Sequence, residues 1–397
     1  MLGAAMLAAL AITAVTGVGL AFHYVPTTTL AHDSVRAIEA DLPFGVWLRA
    51  AHWNGTHATV ALALLWLVAM FVERGHRPPR HGVWLAGVGM LLTLFAFGVT
   101  GELLPFDERA FAATQVRAEI LASAPFVGDV VRSTVLGGDE IGGPTLTRFH
   151  FLHVAVLPVV ALALFFAMRG ASRAAHAVDA IEGRPLRSAV PKSLAALVGG
   201  ALVIGLATQF RAPLGVVAES GDPGFEARPE WYFLWLNQLL HWAKGPLEVV
   251  ATFWLPNVLV VGVLLLPFVD RPATRRYVVA LAVIGALVIG VLTATALSRD
   301  VVNPSNLDYP LGALDAQQRE GYLQVRRNRC IDCHKVGDVG TTDKDAPDLP
   351  ETGDQELADL DAVFVDPPED MPAYDHVPAE ARRQMALYLQ WLAKHPK

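Results

Sequence analysis

Long apolar stretches dominate most of this chain, and the polar residues between them are grouped into short connecting segments. A run of about 20 apolar residues is long enough to cross a bilayer as a helix. Such runs lie near residues 1–22, 52–72, 82–104, 151–168, 193–209, 250–268 and 277–297. The pattern therefore predicts an all-α fold with a seven-span transmembrane helical bundle.

Composition supports a membrane protein. Hydrophobic residues make up 53% of the chain, charged residues only 17%, and the mean hydropathy is +0.40, which is too apolar for a soluble domain of this length. The first run lacks a basic start and a small-residue cleavage site before His23, so we expect a retained span and not a removed signal peptide. The net charge of −7 gives no reason to expect a nucleic-acid partner, and lipid is the expected surrounding.

Basic residues are concentrated in the connections 73–81, 169–192 and 270–276. Short cytoplasmic loops carry an excess of Lys and Arg, so these loops are expected inside the cell. Alternation then places the N-terminus in the cytoplasm and the tail after residue 297 outside. We expect a multi-pass protein of a bacterial inner membrane with its C-terminal domain in the periplasm.

The tail contains the only two cysteines, in Cys330-Ile-Asp-Cys333-His334. C-x-x-C-H is the attachment signature of a c-type haem: two thiols bond the porphyrin, and the histidine binds iron. The motif is short, so chance occurrence is the alternative. Residues 298–316 contain Pro304 and Pro310 and are expected to tether a domain of residues 317–397 close to the bundle.

A methionine downstream can complete this iron site. Met371 precedes Pro372, as axial methionines of small c-type cytochromes do, and Pro347 lies in a loop expected to orient His334. Met385 is a rival ligand, but it falls inside a predicted closing helix, Pro378 to Leu392, where a packing role is expected. The tail is predicted to be a small α-helical cytochrome c domain with His334 and Met371 on the iron.

Two histidines lie within predicted spans. His52 and His153 open the second and fourth spans, each preceded by an arginine, Arg49 or Arg148. Ionisable residues in spans are functional candidates, although an interfacial histidine bonded to a carbonyl is the plain alternative. As a pair they indicate one b-type haem held between two helices near the outer face, with both arginines placed for its propionates.

Dispersed motifs extend this picture. Residues 1–297 resemble the cytochrome b family of respiratory and photosynthetic quinol oxidases, through 16–24, 49–55, 101–106, 124–128, 145–149 and Pro229-Glu230-Trp231-Tyr232. The resemblance implies a four-helix haem-binding half, 1–190, and a three-span half, 191–297. It also implies that Gly17 and Gly101 let the porphyrin approach the backbone, since glycine has no Cβ.

The same resemblance implies a function. Pro229-Glu230-Trp231-Tyr232 matches the family's quinol-site motif, in which Glu230 accepts a quinol proton and Tyr232 is a further catalytic residue. Implied partners are quinol, a Rieske iron–sulfur protein, and a soluble or membrane cytochrome or oxidase as acceptor. Family members are usually homodimers, and a homodimer is expected here.

This chain departs from the family at the inner haem. The resemblance implies a second histidine 14 residues after each ligand, about 21 Å deeper, but Trp66 and Ala167 stand there. We therefore expect no inner b haem. Glu102 and Phe106 also replace a usual tyrosine and tryptophan near the quinol pocket. His57 and His150 lie close to the ligand positions and remain candidates for an alternative ligand or a proton relay.

The sequence thus predicts the cytochrome b subunit of a quinol–cytochrome c oxidoreductase, with the fused c haem as the electron exit. The alternative is a non-enzymatic haem relay or anchor for another membrane oxidoreductase. A transporter built on the same scaffold is a weaker alternative, because it leaves the C-terminal domain without a role.

Overall fold

The structure of the protein is a computed structural model. It describes residues 1–181, 191–215, 217–218, 229–243, 245–298, 314–328, 330, 333–336, 339–340, 346–368, 371 and 373–395. The predicted boundary at residue 190 and most of the predicted tether, 299–313, lie outside these residues.

The described residues are almost entirely helical. In chain order the helices are α1 (Leu2–Ala21), α2 (Ala31–Asp41), α3 (Gly45–Val72), α4 (His81–Glu102), α5 (Glu108–Ala122), α6 (Gly128–Leu136), α7 (Gly143–Phe151), α8 (Leu157–Ile181), α9 (Lys192–Gln209), α10 (Leu234–Trp242), α11 (Leu255–Val269), α12 (Arg275–Ser298), α13 (Ala316–Arg327), α14 (Leu349–Thr352), α15 (Leu357–Val365) and α16 (Ala379–Lys394). Two strands of two residues each, β1 (Lys335–Val336) and β2 (Val339–Gly340), pair antiparallel. The predicted all-α class is confirmed.

Among the described residues, seven helices are long and apolar enough to cross a membrane, as predicted. They are α1, α3, α4, the continuous α7–α8 segment, α9, the segment Val250–Val269 and α12. Their outward faces carry many exposed leucines, valines and isoleucines, as expected where lipid and not water surrounds the helices. The chain therefore has the form of a multi-span helical membrane protein.

Helix starts differ from the predicted spans at both histidines. The helix of the second span begins at Gly45 and not at His52. It includes Arg49, whose charge is neutralised by Glu39. The fourth begins at Gly143, and a π-helical turn, Leu152–Val156, carries His153 between α7 and α8. A π turn adds one residue to the helical repeat and is often found at functional sites.

The first compact unit comprises residues 1–217 and 229–297. Within it α1 packs against α3 and α9, and α4 packs against α3, α8 and α11. Small residues let the helices approach closely: a Cβ on Gly199 of α9 would lie only 2.3 Å from the carbonyl oxygen of Ala5. This contact holds α9 closely against α1.

A buried ionic cluster joins two loops at one end of this unit. Asp270, between α11 and α12, accepts hydrogen bonds from His76 (2.6 Å), Arg77 (2.9 Å) and Arg275 (2.6 Å). Burial alone raises the pKa of Asp270, but the hydrogen bonds from these three groups outweigh it, and the net pKa lies below its usual value. The cluster ties the α3–α4 loop to the α11–α12 loop.

The second unit contains residues 298–397. Its core is formed by α13, α14, α15 and α16, with Met385, Tyr388 and Leu392 of α16 completely buried. Gly321 of α13 permits close helix packing, since a Cβ there would lie 1.8 Å from the carbonyl oxygen of Gln384. The predicted closing helix is thus present, and it forms the centre of this small domain.

Candidate functional site

His52 and His153 face each other inside the helical bundle. Their ring centroids lie 6.1 Å apart, with the rings near perpendicular. Half of that separation is about 3 Å, and a ring nitrogen lies roughly 1 Å from its centroid, which leaves about 2 Å, the length of an imidazole–metal bond. The separation therefore fits one iron atom held by both rings.

Hydrogen bonds set the same tautomer on both rings. The Nδ1 atom of His52 lies 2.8 Å from the carbonyl oxygen of Thr13, so it must carry a hydrogen. The Nδ1 atom of His153 lies 3.0 Å from the hydroxyl of Thr100, which already donates its own hydrogen to Ala96. Each Nε2 is therefore left with the lone pair that iron requires.

Gly17 and Gly101 lie directly behind the two rings. A Cβ on either glycine would come within 2.7 Å of Cε1 of His52 or His153, respectively. No other residue type leaves room for a ring at these positions. Both glycines thus make room for the histidine rings, and their predicted role of letting a porphyrin approach the backbone stays a prediction.

The two arginines predicted near the haem are bonded to protein groups. Arg49 is buried, pairs with Glu39 and donates to the carbonyl of Ala212 at 3.1 Å. Arg148 donates to the carbonyl of Thr134. Their proposed contact with haem propionates stays a prediction.

Trp66 lies between Gly3 and Gly87. A Cβ on Gly87 of α4 would lie 2.2 Å from Cζ3 of Trp66, and one on Gly3 of α1 would lie 3.3 Å from its Nε1. These glycines precede Gly101 and Gly17 by 14 residues each, as His52 precedes Trp66. The indole therefore lies between Gly3 and Gly87 in the same way that the proposed outer haem would lie between Gly17 and Gly101. Ala167 is exposed and offers no metal ligand.

Glu230 lies in a group of titratable and charged side chains: His57, Glu102, Arg109, Arg117 and Glu230. Its Oε1 accepts a hydrogen bond from Arg109 at 2.7 Å, and its Oε2 lies 3.5 Å from Nε2 of His57. Burial raises the pKa of Glu230, while the positive charges of Arg109 and Arg117 oppose the rise. A raised pKa makes a buried carboxylate a better proton acceptor than an exposed one.

Tyr232 and Glu102 complete the surroundings of Glu230. Tyr232 is buried, stacks on Phe95 with centroids 5.4 Å apart, and places its hydroxyl against Gly98, where a Cβ would lie 2.5 Å away. Burial, together with the negative charges of Glu230 and Glu102, raises the pKa of Tyr232, so it stays protonated. Glu102 pairs with Arg117.

Sequence reasoning missed Arg109 and Arg117. They are eight residues apart on α5, which places them on one face of the helix. Two arginines on one face of a helix that follows a span are a signal that could have been read. What could not be read is the partner of Arg109, Glu230, which is 121 positions away along the chain.

The cysteine motif lies in the second unit. Nδ1 of His334 is 2.8 Å from the carbonyl oxygen of Pro347, as expected for the loop that orients a proximal histidine, and its Nε2 is left for iron. Cys333 is exposed and Cys330 buried. Met371 is partly buried beside the core, whereas Met385 is fully buried within it, which fits Met371 as ligand and Met385 as a packing residue.

Comparison with known proteins gives a consistent picture. The family model for cytochrome b/b6/petB matches residues 1–169. A cytochrome bc complex cytochrome b subunit of Chlorobaculum thiosulfatiphilum is 34% identical over 66% of this chain, and the chain spans 64% of that relative's length. Cytochrome b6 of Prochlorococcus marinus strain MIT 9515 is 35% identical over 42% of this chain and 76% of that protein.

Among solved structures, a chain of a hyperthermophilic respiratory Complex III matches with a TM-score of 0.61. The match covers 82% of this chain and 89% of the other, at 23% sequence identity. At that identity the likeness shows the fold, and it agrees with the helical bundle described above.

Proposed function

Because this chain belongs to the cytochrome b/b6 family, we propose that it is the cytochrome b subunit of a quinol–cytochrome c oxidoreductase. In this proposal it oxidises quinol at the outer face of a bacterial inner membrane. One b-type haem lies between His52 and His153, and a covalent c-type haem on the periplasmic C-terminal domain is the electron exit.

The observation that carries the proposal is the position of Glu230. It lies beside His57, which follows the ligand position His52 by five residues on the same helix, about 7.5 Å along the axis. Quinol oxidation releases protons and electrons together. Of the two protons and two electrons that quinol releases, Glu230 would accept one proton and a haem between His52 and His153 one electron, while the proposed Rieske partner would accept the other electron.

The chain's own residues have distinct tasks. Glu230 accepts a quinol proton on a carboxylate oxygen, and Arg109 keeps that carboxylate oriented. Tyr232 closes the pocket against Gly98 and limits the access of water. When bound, the b haem supplies a one-electron acceptor at His52 and His153.

We propose that the inner b haem is absent. Trp66 occupies the space between Gly3 and Gly87, and neither Trp66 nor Ala167 provides an iron ligand. A single electron would then have to cross most of a hydrocarbon core of about 30 Å to reach the inner face, which is too far for efficient transfer. Electrons therefore leave mainly outward.

The outward route uses the C-terminal domain. Cys330 and Cys333 hold the haem, and His334 and Met371 bind its iron. Since this chain has only two cysteines, a Rieske iron–sulfur protein is proposed as a separate partner that passes electrons to the c haem. A soluble or membrane cytochrome or oxidase is the final acceptor, and a homodimer is the proposed assembly.

The test is quinol-driven reduction of the c haem in membranes that contain the full complex. E230Q should reduce the rate about 10²–10⁴-fold, as loss of a general base does. E140Q, a change at an exposed glutamate, is the matched control and should keep the wild-type rate.

A non-enzymatic relay is the second candidate. It is favoured by the ion pairs Arg109–Glu230 and Arg117–Glu102, because they put fixed charges into a region proposed to accept an apolar quinol. Under that function E230Q would leave the rate of c haem reduction unchanged, since the electrons would enter from another protein.

A further inference from the structure

His57 connects the tryptophan and the glutamate of the Pro229-Glu230-Trp231-Tyr232 motif. The indole Nε1–H of Trp231 donates to Nδ1 of His57 at 3.2 Å. On the other side of the ring, Nε2 lies 3.5 Å from Oε2 of Glu230. Arg109 holds the second carboxylate oxygen at 2.7 Å. These contacts place Glu230 between one cation and one imidazole.

The indole determines which nitrogen of His57 carries the hydrogen. An indole N–H can only donate, so Nδ1 of His57 must accept, and the hydrogen of the neutral ring is on Nε2. That N–H faces Glu230. At 3.5 Å the contact is electrostatic and slightly longer than a full hydrogen bond.

The indole also disfavours a second proton on His57. A hydrogen added to Nδ1 would point at the indole N–H, and the hydrogen bond would be lost. His57 is therefore kept as a neutral donor toward Glu230 and is a poor proton acceptor itself. Trp53, whose ring lies 4.3 Å from His57 centroid to centroid, limits its rotation.

Titratable and charged groups near Glu230 come from every neighbouring element. They are His57 on α3, Glu102 on α4, Arg109 and Arg117 on α5, and the phenol of Tyr232. Arg117 is committed to Glu102. The groups in direct contact with the Glu230 carboxylate among the described residues are thus Arg109 and His57.

We propose that His57 is a positioning residue for Glu230. Held as the Nε2–H tautomer by Trp231, it directs that N–H at Glu230 and keeps the carboxylate oriented to take a proton from quinol. The proposal rests on the proposed function, because the role of Glu230 as proton acceptor belongs to it. It assigns a task to Trp231, whose N–H sets the tautomer.

The proposal predicts upward shifts for two variants. H57L removes an N–H that favours the carboxylate, so Glu230 should titrate about one pH unit higher. W231F removes the indole N–H that sets the tautomer of His57, so the hydrogen can move to Nδ1 and leave a lone pair facing the carboxylate. In W231F, Glu230 should therefore also titrate higher, and this change should vanish in the H57L/W231F double variant.

Infrared difference spectra of the purified complex measure this titration directly. The carboxylic-acid band that E230Q removes is assigned to Glu230, and its growth on acidification gives the titration midpoint. H57Q, whose amide keeps a donor at the position of Nε2, is the matched control and should restore the wild-type midpoint. The b and c haem contents of each variant show that it has folded.

The outcomes separate the two proposals. An unchanged Glu230 midpoint in H57L would overturn the positioning role. So would a W231F change that shifts the midpoint equally in the wild-type and the H57L backgrounds. If E230Q keeps full quinol activity while H57L still shifts the midpoint, the proposed function fails and the positioning role stands. If E230Q is inactive and H57L unshifted, only the positioning role fails.

Discussion

The indole of Trp66 lies so close to Gly87 that a Cβ on the glycine would come within 2.2 Å of the ring. The contact joins α3 and α4 at the level where a second porphyrin would need the same space. A haem and this indole cannot both occupy it, because protein interiors leave few voids larger than a water molecule. The proposed absence of an inner haem thus rests on this packing as well as on the missing ligands.

Replacing this glycine should destabilise the bundle. G87A should lower the free energy of unfolding by about 1–3 kcal/mol, because the added methyl forces Trp66 out of its place. In a W66A background, G87A should cause little further loss of stability, because the indole that the added methyl meets is gone. Thermal unfolding in detergent measures both. G285A on α12, where a Cβ meets nothing within 4 Å, is the matched control and should not be destabilised.

Haem stoichiometry tests the single-haem site. The wild-type protein should contain one b haem for each c haem, measured from reduced-minus-oxidised spectra. H52L or H153L should abolish all b haem and leave the c haem, since the c ligands belong to another compact unit. W66F should keep the b haem. A b haem that persists in H52L would show that a second site exists.

The two methionines of the C-terminal domain should behave differently. M371L should remove the sulfur-to-iron charge-transfer band of the oxidised c haem, because its thioether is the proposed ligand. M385L should keep that band, since Met385 is fully buried in the core and leucine nearly conserves its volume. Its cost should be below about 1.5 kcal/mol in stability. The reverse pattern of band loss would make Met385 the ligand.

Asp270 should make stability depend on pH in the acid range. Its folded pKa lies below the usual value of 3.8, so its stabilising effect is complete above that value and is lost as pH falls through the folded pKa. D270N should lower stability by about 3–5 kcal/mol at pH 7, because three donors lose a buried anion. Thermal unfolding should show this difference shrinking below pH 3.8.

An exposed aspartate provides the control for that measurement. D139N, at an exposed position after α6, should leave the unfolding temperature unchanged at both pH values. A difference between D270N and wild type that stays constant down to the lowest pH would contradict the ionic origin of the stabilisation.

Much of the fold was readable from local pattern. The apolar runs predicted the seven spans, because a helix that crosses lipid must be apolar over its own length. The motif glycines and histidines pointed to a family that the comparisons then confirmed. Helix starts were predicted less accurately. The helix of the second span begins before Arg49, because Glu39 neutralises the charge of this arginine.

By itself, then, the sequence determined the all-helical membrane architecture, the candidate ligands His52 and His153, and the c-type motif. Each of these rests on composition or on spacing within one segment. The tertiary structure alone decided that Trp66 fills the space between Gly3 and Gly87, and that Arg109, His57 and Trp231 converge on Glu230. These contacts join separate helices, and the distance between residues far apart along the chain is set by helix packing and not by local sequence.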